Sequence, residues 1–80
     1  MSILEPNEVA IRGEMIRLGQ LLKLTDVVDS GGEAKALLAA GDVSVNGERE
    51  RRRGRQLHDG DLVAVPGQLL RVVVAKPAEG

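Results

Sequence analysis

The sequence predicts a small α+β domain in which two short helices pack on one face of a small antiparallel sheet. Three observations carry this prediction. Apolar residues recur at helical spacing in two early segments, they alternate or cluster as in strands in later segments, and tight-turn pairs separate those strands. A chain of 80 residues has room for one domain with a modest core. Helices followed by strands that tight turns connect favour the α+β class.

The first helix is predicted over residues 17–24. Its leucines recur at helical spacing, which indicates an amphipathic helix with one buried face. Gly19 is unfavourable inside such a helix, by about 1 kcal/mol relative to alanine. Before the helix, residues 9–12 are expected to form a short strand or an extended arm. The residues at this spacing are Leu18, Leu21, Leu22 and either Leu24 or Thr25.

The second helix is predicted to begin after Ser30, whose hydroxyl can accept a hydrogen bond from the first turn. Glu33 follows three residues later, as a capping box requires. Gly41 supplies the left-handed residue that ends the helix. The predicted buried stripe consists of Ala34, Leu37 and Leu38.

The second half of the chain predicts strands. Val43 and Val45 alternate with polar residues, and Asn46-Gly47 is the strongest short hairpin signal. A returning strand starts near Glu48, and residues 51–56 are expected to form a loop or bulge. Further strands are predicted over residues 62–65 and 69–74, with turns at Asp59-Gly60 and Pro66-Gly67. The predicted organisation is a flexible segment over residues 1–8, one domain over residues 9–75, and a flexible tail over residues 76–80.

Composition excludes several classes of function. The chain has no cysteine, which rules out disulfides and thiolate metal sites. It has no Phe, Tyr or Trp, which argues against folds that stack bases on aromatic side chains. His58, the one histidine, has no ligand or catalytic partners at a suitable spacing, so we expect neither metal nor cofactor. Without a secretory signal or a membrane span, we expect a cytoplasmic protein. Nothing in the sequence demands more than a monomer.

Basic residues are concentrated in one short window. Residues 49–55 carry a net charge of +4, although the whole chain carries −1. Guanidinium groups at this density favour phosphate as a partner. The alternative is a solvated loop in which Glu48 and Glu50 compensate part of the charge. We prefer the phosphate interpretation, and the five arginines concerned are Arg49, Arg51, Arg52, Arg53 and Arg55.

Five segments of the sequence combine particular residues at fixed spacings: Leu18-x-x-Leu21-Leu22-Lys23, Ser30-Gly31-Gly32-x-Ala34-Lys35, Gly41-x-Val43-x-Val45-Asn46-Gly47-Glu48, Arg52-Arg53-Gly54-Arg55-x-Leu57 and Gly60-Asp61-x-Val63. Together they are similar to the S4-type RNA-binding domain, which carries the αL motif. Small stand-alone bacterial members of this family resemble the chain most, because they share the double glycine at the second helix. Many members of the wider family have Ser-Arg at that place, so the arginine contact to phosphate is not available here.

The resemblance implies an RNA-binding surface made by the second helix and the turn and loop that follow it. Backbone N–H groups at the start of that helix attract anions, although Ser30 and Glu33 also fit a simple cap. Lys23 extends the basic surface, and Asn46 is expected to be mainly structural with a secondary contact. The predicted RNA-binding residues are Lys23, Ser30, Gly31, Gly32, Lys35, Asn46, Arg49, Arg51, Arg52, Arg53 and Arg55.

The leading functional hypothesis is a non-enzymatic module that binds structured RNA through its phosphates. By analogy with the family, ribosomal RNA is the expected target class, tRNA comes second, and ribosomal particles are expected partners. The alternative is a ribosome-associated adaptor whose acidic residues meet a basic protein. An enzyme is poorly supported, because the chain offers no nucleophile with a supporting base.

Overall fold

The computed structural model describes residues 5–75 and confirms the α+β class. Two helices cover one face of a five-stranded sheet, and a two-stranded sheet lies beside it. The elements in chain order are β1 (Pro6–Ile11), β2 (Ile16–Arg17), α1 (Leu18–Leu24), α2 (Gly31–Ala39), β3 (Ser44–Val45), β4 (Glu48–Arg49), β5 (Gln56–Leu57), β6 (Leu62–Val65) and β7 (Gln68–Val74).

The main sheet is mixed, whereas the sequence predicted an antiparallel one. Its strand order is β1-β7-β6-β3-β4, and β1 runs parallel to β7 while the other pairs are antiparallel. Tight turns specify only antiparallel neighbours. The pairing of Pro6 with Leu69 joins opposite ends of the described chain, so no local turn signal announces its direction.

The N-terminal boundary also differs from the prediction. β1 starts at Pro6, so the flexible segment predicted for residues 1–8 is wrong at residues 6–8. Backbone pairing with β7 holds these residues, and the Asn7 amide donates to Gln68 Oε1 at 3.3 Å. Residues 1–4 and the tail predicted over residues 76–80 lie outside the described part of the chain.

Both helices form where the leucine spacing placed them, but Leu24, predicted on the buried face of α1, is 57% exposed. The Ser30 hydroxyl accepts from Glu33 N at 3.2 Å, which confirms the predicted N-cap of α2. The Glu33 carboxylate accepts from Asp29 N at 3.0 Å, one residue earlier than the partner in a standard capping box. Gly41 has a φ of +80°, the left-handed conformation predicted for the end of this helix.

The core lies between the helices and the facing side of the main sheet. Leucines of α1 and α2 meet valines of the strands, and each fully buried leucine or valine contributes about 1.5–3 kcal/mol. Leu57 of β5 is fully buried and joins the small sheet to this core. The buried apolar residues are Ile11, Leu18, Leu21, Leu22, Val28, Ala34, Leu38, Val43, Val45, Leu57, Val63, Val65, Leu70 and Val72.

Candidate nucleic-acid interface

The segment between β4 and β5, residues 50–55, is called the arginine loop below. Glu50 is its first residue and is only 7% exposed, although it is charged. Burying a carboxylate is costly unless hydrogen bonds satisfy it, and here the loop itself supplies them. The Glu50 carboxylate accepts from Arg51 N (3.1 Å), Arg52 N (3.1 Å), Arg52 Nε (3.0 Å), Arg52 Nη2 (3.2 Å) and Arg55 Nη1 (2.8 Å).

This environment keeps Glu50 ionised. Hydrogen bonds from the Arg52 side chain, opposed by burial and assisted by the Arg52 amide and Arg55, lower the pKa of Glu50 from 4.5 to about 2. The same ion pair raises the pKa of Arg52. Glu50 is therefore a permanent negative charge at the base of the arginine loop at neutral pH.

The arginine loop docks against the start of α1. The carbonyl of Arg55 accepts from Leu18 N at 2.9 Å, and the carbonyl of Arg53 accepts from Gly19 N at 2.8 Å. These bonds satisfy backbone N–H groups that a helix leaves free in its first turn. A β-carbon on Gly19 would lie 3.2 Å from the β-carbon of Arg53, so the glycine permits this close approach.

The five clustered arginines do not form one surface. Arg52 and Arg55 are ion-paired with Glu50, and the other three make no ion pair among residues 5–75. Arg49 packs on Gly41 at the C-terminal end of α2. A β-carbon built on Gly41 would lie 3.3 Å from both Cδ and Nε of Arg49. Arg53 lies near the opposite, N-terminal end of that helix. Only part of the predicted cluster can therefore face one ligand.

A groove of about 300 Å³ lies between α1, α2 and the arginine loop, and it is called the α1–α2 groove below. Three of its lining side chains are cationic, none of those the structure describes is acidic, and none of the cations is ion-paired within residues 5–75. Phosphate groups suit such a surface. The lining residues are Arg17, Gly19, Gln20, Lys23, Gly31, Ala34, Arg53 and Gly54.

Arg53 and the start of α2 lie side by side in the α1–α2 groove. A β-carbon built on Gly31 would be 3.6 Å from Nη1 of Arg53, so the guanidinium lies over the first turn of the helix. The N-terminal end of a helix carries a partial positive charge. These two positive groups repel each other unless an anion lies between them. Glu33 does not serve as that anion, because its carboxylate is bound to Asp29 N at the cap and does not line the groove.

The structure brings some predicted site residues together and separates others. Lys23, Gly31 and Arg53 line the same groove. Ser30, Gly32 and Lys35 belong to the first turns of α2 or its cap but do not line the groove, and Arg51 is exposed on the arginine loop. The predicted residues outside the groove on other parts of the surface are Arg49, Asn46, Arg52 and Arg55.

Asn46 has a structural role at the turn between β3 and β4. Its φ is 52° and that of Gly47 is 87°, which confirms the predicted hairpin turn. The Asn46 side chain accepts from Leu62 N at 2.9 Å and donates to Asp61 at 3.1 Å. Both the carbonyl oxygen and the amino group of the Asn46 side chain are therefore hydrogen-bonded within the protein.

Sequence reasoning missed three residues that shape the site. Arg17 lines the groove and lies three residues before Gln20 and six before Lys23, so the signal was a polar stripe opposite the leucines of α1. From the sequence, Gly19 is only an unfavourable helix residue. Glu50 is only a partial counter-charge, and the signal for its role is that it is the one acidic residue within the arginine run.

Residues 5–75 contain neither a membrane-spanning helix nor a metal-binding cluster. The helices in this part of the chain are too short to cross a bilayer. The same residues contain no group of three or more His, Asp or Glu side chains arranged to hold a metal ion.

Comparisons with known proteins support the fold and the family. A crystal structure of the 30S ribosomal protein S4e from Thermoplasma acidophilum matches with a TM-score of 0.58 at 24% identity, which is likeness of fold alone. The match covers 84% of this chain and 40% of that one. The probable ribosome maturation protein RlbA of Bacillus subtilis (strain 168) is 52% identical over 61 residues, 76% of this chain and 86% of that protein. Since the family model described as S4 domain matches residues 9–73, this chain belongs to the S4 domain family, as the sequence motifs predicted.

Proposed function

We propose that this protein binds structured RNA, ribosomal RNA in preference to tRNA, by holding backbone phosphates in the α1–α2 groove. The observation that carries the proposal is a set of three cations beside the N-terminal end of α2 that, among residues 5–75, have no ion-pair partner and share the groove with no carboxylate. Phosphate contacts position a protein on nucleic acid, and the lack of aromatic residues leaves shape as the main source of selectivity.

Within the groove, Arg53 contributes a guanidinium fork over the start of α2, and Arg17 and Lys23 contribute charge from α1. Arg51 and Lys35 are exposed close to this surface in sequence and extend it. Arg52 and Arg55 contribute less than the sequence suggested, because Glu50 neutralises part of their charge. The backbone of Gly31 and Gly32 can approach a phosphate closely, since neither carries a side chain.

The relatives support a ribosomal setting. A protein 52% identical to this chain is named as a probable ribosome maturation protein, and the fold is shared with a 30S ribosomal protein. A role on ribosomal particles would place this protein in the cytoplasm. A non-enzymatic role is supported by the S4 domain match and by the relative named as a probable ribosome maturation protein.

The proposal is tested by titrating the protein into a labelled ribosomal RNA hairpin that contains a helical junction. Four cations are expected to contact phosphates in this complex: Arg17, Lys23, Arg51 and Arg53. The log–log salt slope is then about −3 to −3.5, and raising salt from ~50 to ~200 mM weakens binding roughly 60- to 130-fold. Competition with tRNA and with single-stranded poly(U) measures the preference for structure. A slope near zero contradicts the proposal, and tRNA that competes better than the hairpin contradicts the preference for ribosomal RNA.

A further inference from the structure

Resting on the proposed function, we propose that Glu50 is a positioning residue for RNA binding: a buried negative charge that holds the arginine loop in its binding shape and so strengthens the binding of a polyanion. Neither the family match nor the names of the relatives assigns a role to this carboxylate. Its charge alone would have the opposite effect, because a carboxylate beside a phosphate-binding surface repels the phosphates and weakens their binding.

The first support is the number of contacts on one side chain. Oε2 of Glu50 accepts from the backbone N–H groups of Arg51 and Arg52, and both carboxylate oxygens accept from the Arg52 guanidinium. Oε1 also accepts from Arg55 Nη1 at 2.8 Å. A solvent-exposed counter-charge would not need five donors, and the Arg52 side chain is 75% exposed while that of Glu50 is 9% exposed. The carboxylate is therefore the fixed partner, and the loop is arranged around it.

The second support is the place of Arg53 between the anchored residues. Glu50 holds the loop on the N-terminal side of Arg53 through the amides of Arg51 and Arg52, and on the C-terminal side through Arg55. The carbonyl of Arg53 is itself fixed on Gly19 N at 2.8 Å. With its backbone restrained in this way, Arg53 keeps its guanidinium at the start of α2 before any RNA arrives. Glu50 acts through Arg53 and does not need to contact RNA.

The third support is the charge of the loop. Residues 51–53 are three consecutive arginines, and like charges this close repel one another. Without Glu50, the loop would reduce this repulsion by spreading its side chains into solvent. Ordering them again on RNA would cost free energy, and such ordering costs reduce affinity.

Charge and positioning predict opposite results for Glu50→Gln. The substitution changes the formal net charge from −1 to 0. If charge alone mattered, losing a carboxylate about 8 Å from a phosphate in water would strengthen binding about twofold. If Glu50 positions the loop, binding weakens about tenfold, because two or three arginines lose their fixed geometry.

Glu48→Gln is the matched control. Glu48 lies two residues away on β4, is exposed, and makes no ion pair among residues 5–75, yet its substitution changes the net charge equally. The experiment measures affinity for the labelled ribosomal RNA hairpin in wild type, Glu48→Gln and Glu50→Gln, with thermal unfolding of each. We expect Glu48→Gln to bind as tightly as wild type or slightly more tightly, and Glu50→Gln to bind about tenfold more weakly while remaining folded.

Two further measurements separate positioning from a loss of folding. Glu50→Asp keeps the net charge and withdraws the carboxylate by one methylene, so we expect binding about threefold weaker than wild type with the fold intact. The NMR signal of Arg52 Nε–H, which donates to Glu50 at 3.0 Å, should shift towards that of a solvated arginine in Glu50→Gln. A general structural defect would instead change signals throughout the core.

The outcomes distinguish this inference from the proposed function. If Glu50→Gln binds as tightly as Glu48→Gln, or if Glu50→Gln unfolds and Glu50→Asp binds like wild type, the positioning role is wrong and RNA binding still stands. If wild type binds the hairpin without salt dependence, the proposed function itself is wrong.

Discussion

The backbone N–H of Gly19 donates to the carbonyl of Arg53 at 2.8 Å, and no side chain stands between the two residues. This bond joins α1 to the arginine loop, and through Arg53 it joins α1 to the start of α2. Both helices and the loop therefore contribute to one groove because a glycine occupies a helical position where alanine would be favoured. A residue that weakens the helix allows the site to assemble.

Gly19→Ala should separate RNA binding from stability. Alanine favours the helix by about 1 kcal/mol, but its β-carbon would lie 3.2 Å from that of Arg53, so the arginine loop must move. We expect the free energy of unfolding to change by less than about 1 kcal/mol while affinity for the RNA hairpin falls roughly three- to tenfold. An affinity of Gly19→Ala equal to that of wild type would contradict the role of the close approach.

Arg53→Ala should weaken RNA binding by removing one phosphate contact. We expect the salt slope to become less steep by about 0.7–0.9, with little change in stability, since exposed charges contribute little to folding. Arg71→Ala is the matched control. Arg71 lies between buried Leu70 and Val72 on β7, so it points away from the helices, where it pairs with Glu8 at 3.6 Å. If both variants lower the slope equally, binding does not depend on the α1–α2 groove.

The parts of the fold that the sequence predicted correctly depend on neighbouring residues. Asn46-Gly47 sets its turn within two residues, and Ser30 caps α2 through an amide three residues away. The parallel pairing of β1 with β7 depends on contacts such as that of Asn7 with Gln68, 61 residues apart, and no local signal encodes it. For the same reason, the sequence did not predict that β1 begins as early as Pro6.

The candidate site was predictable only in part, because charge density does not determine direction. Five arginines in seven residues predicted a basic surface, but the structure points Arg49 and Arg53 to opposite ends of α2. Glu50 could not be recognised as buried from its sequence position, since its burial depends on how the loop docks on α1. Arg17 was within reach of prediction, as the first residue of a polar stripe along that helix.

Glu50 should make stability depend on pH in the acid range. Its pKa is about 2 in the folded protein and 4.5 ordinarily, so the unfolded chain binds the proton first as pH falls. The stabilisation is complete above about pH 5 and is lost as pH falls through about 2; its upper limit is about 3 kcal/mol. Urea unfolding from pH 7 to 2 measures this loss. In Glu50→Gln that part of the pH dependence should be absent, and identical pH profiles for the two proteins would contradict the assignment.

Asn46 should prove to be a structural residue. Asn46→Ala places an ordinary side chain at a φ of 52° and removes the acceptor for Leu62 N, so we expect a loss of about 2–3 kcal/mol. Asn46→Gly tolerates the turn and loses only the side-chain bonds, at a cost of about 1 kcal/mol. Urea unfolding measures the loss of stability in each variant. Titration with the labelled RNA hairpin at low temperature, where both variants remain folded, measures their affinities. Because the Asn46 side-chain amide is already hydrogen-bonded to Leu62 N and Asp61, we expect the affinity for RNA to stay within about twofold of wild type. A tenfold loss of affinity in folded Asn46→Gly would instead assign this side chain to the RNA contact.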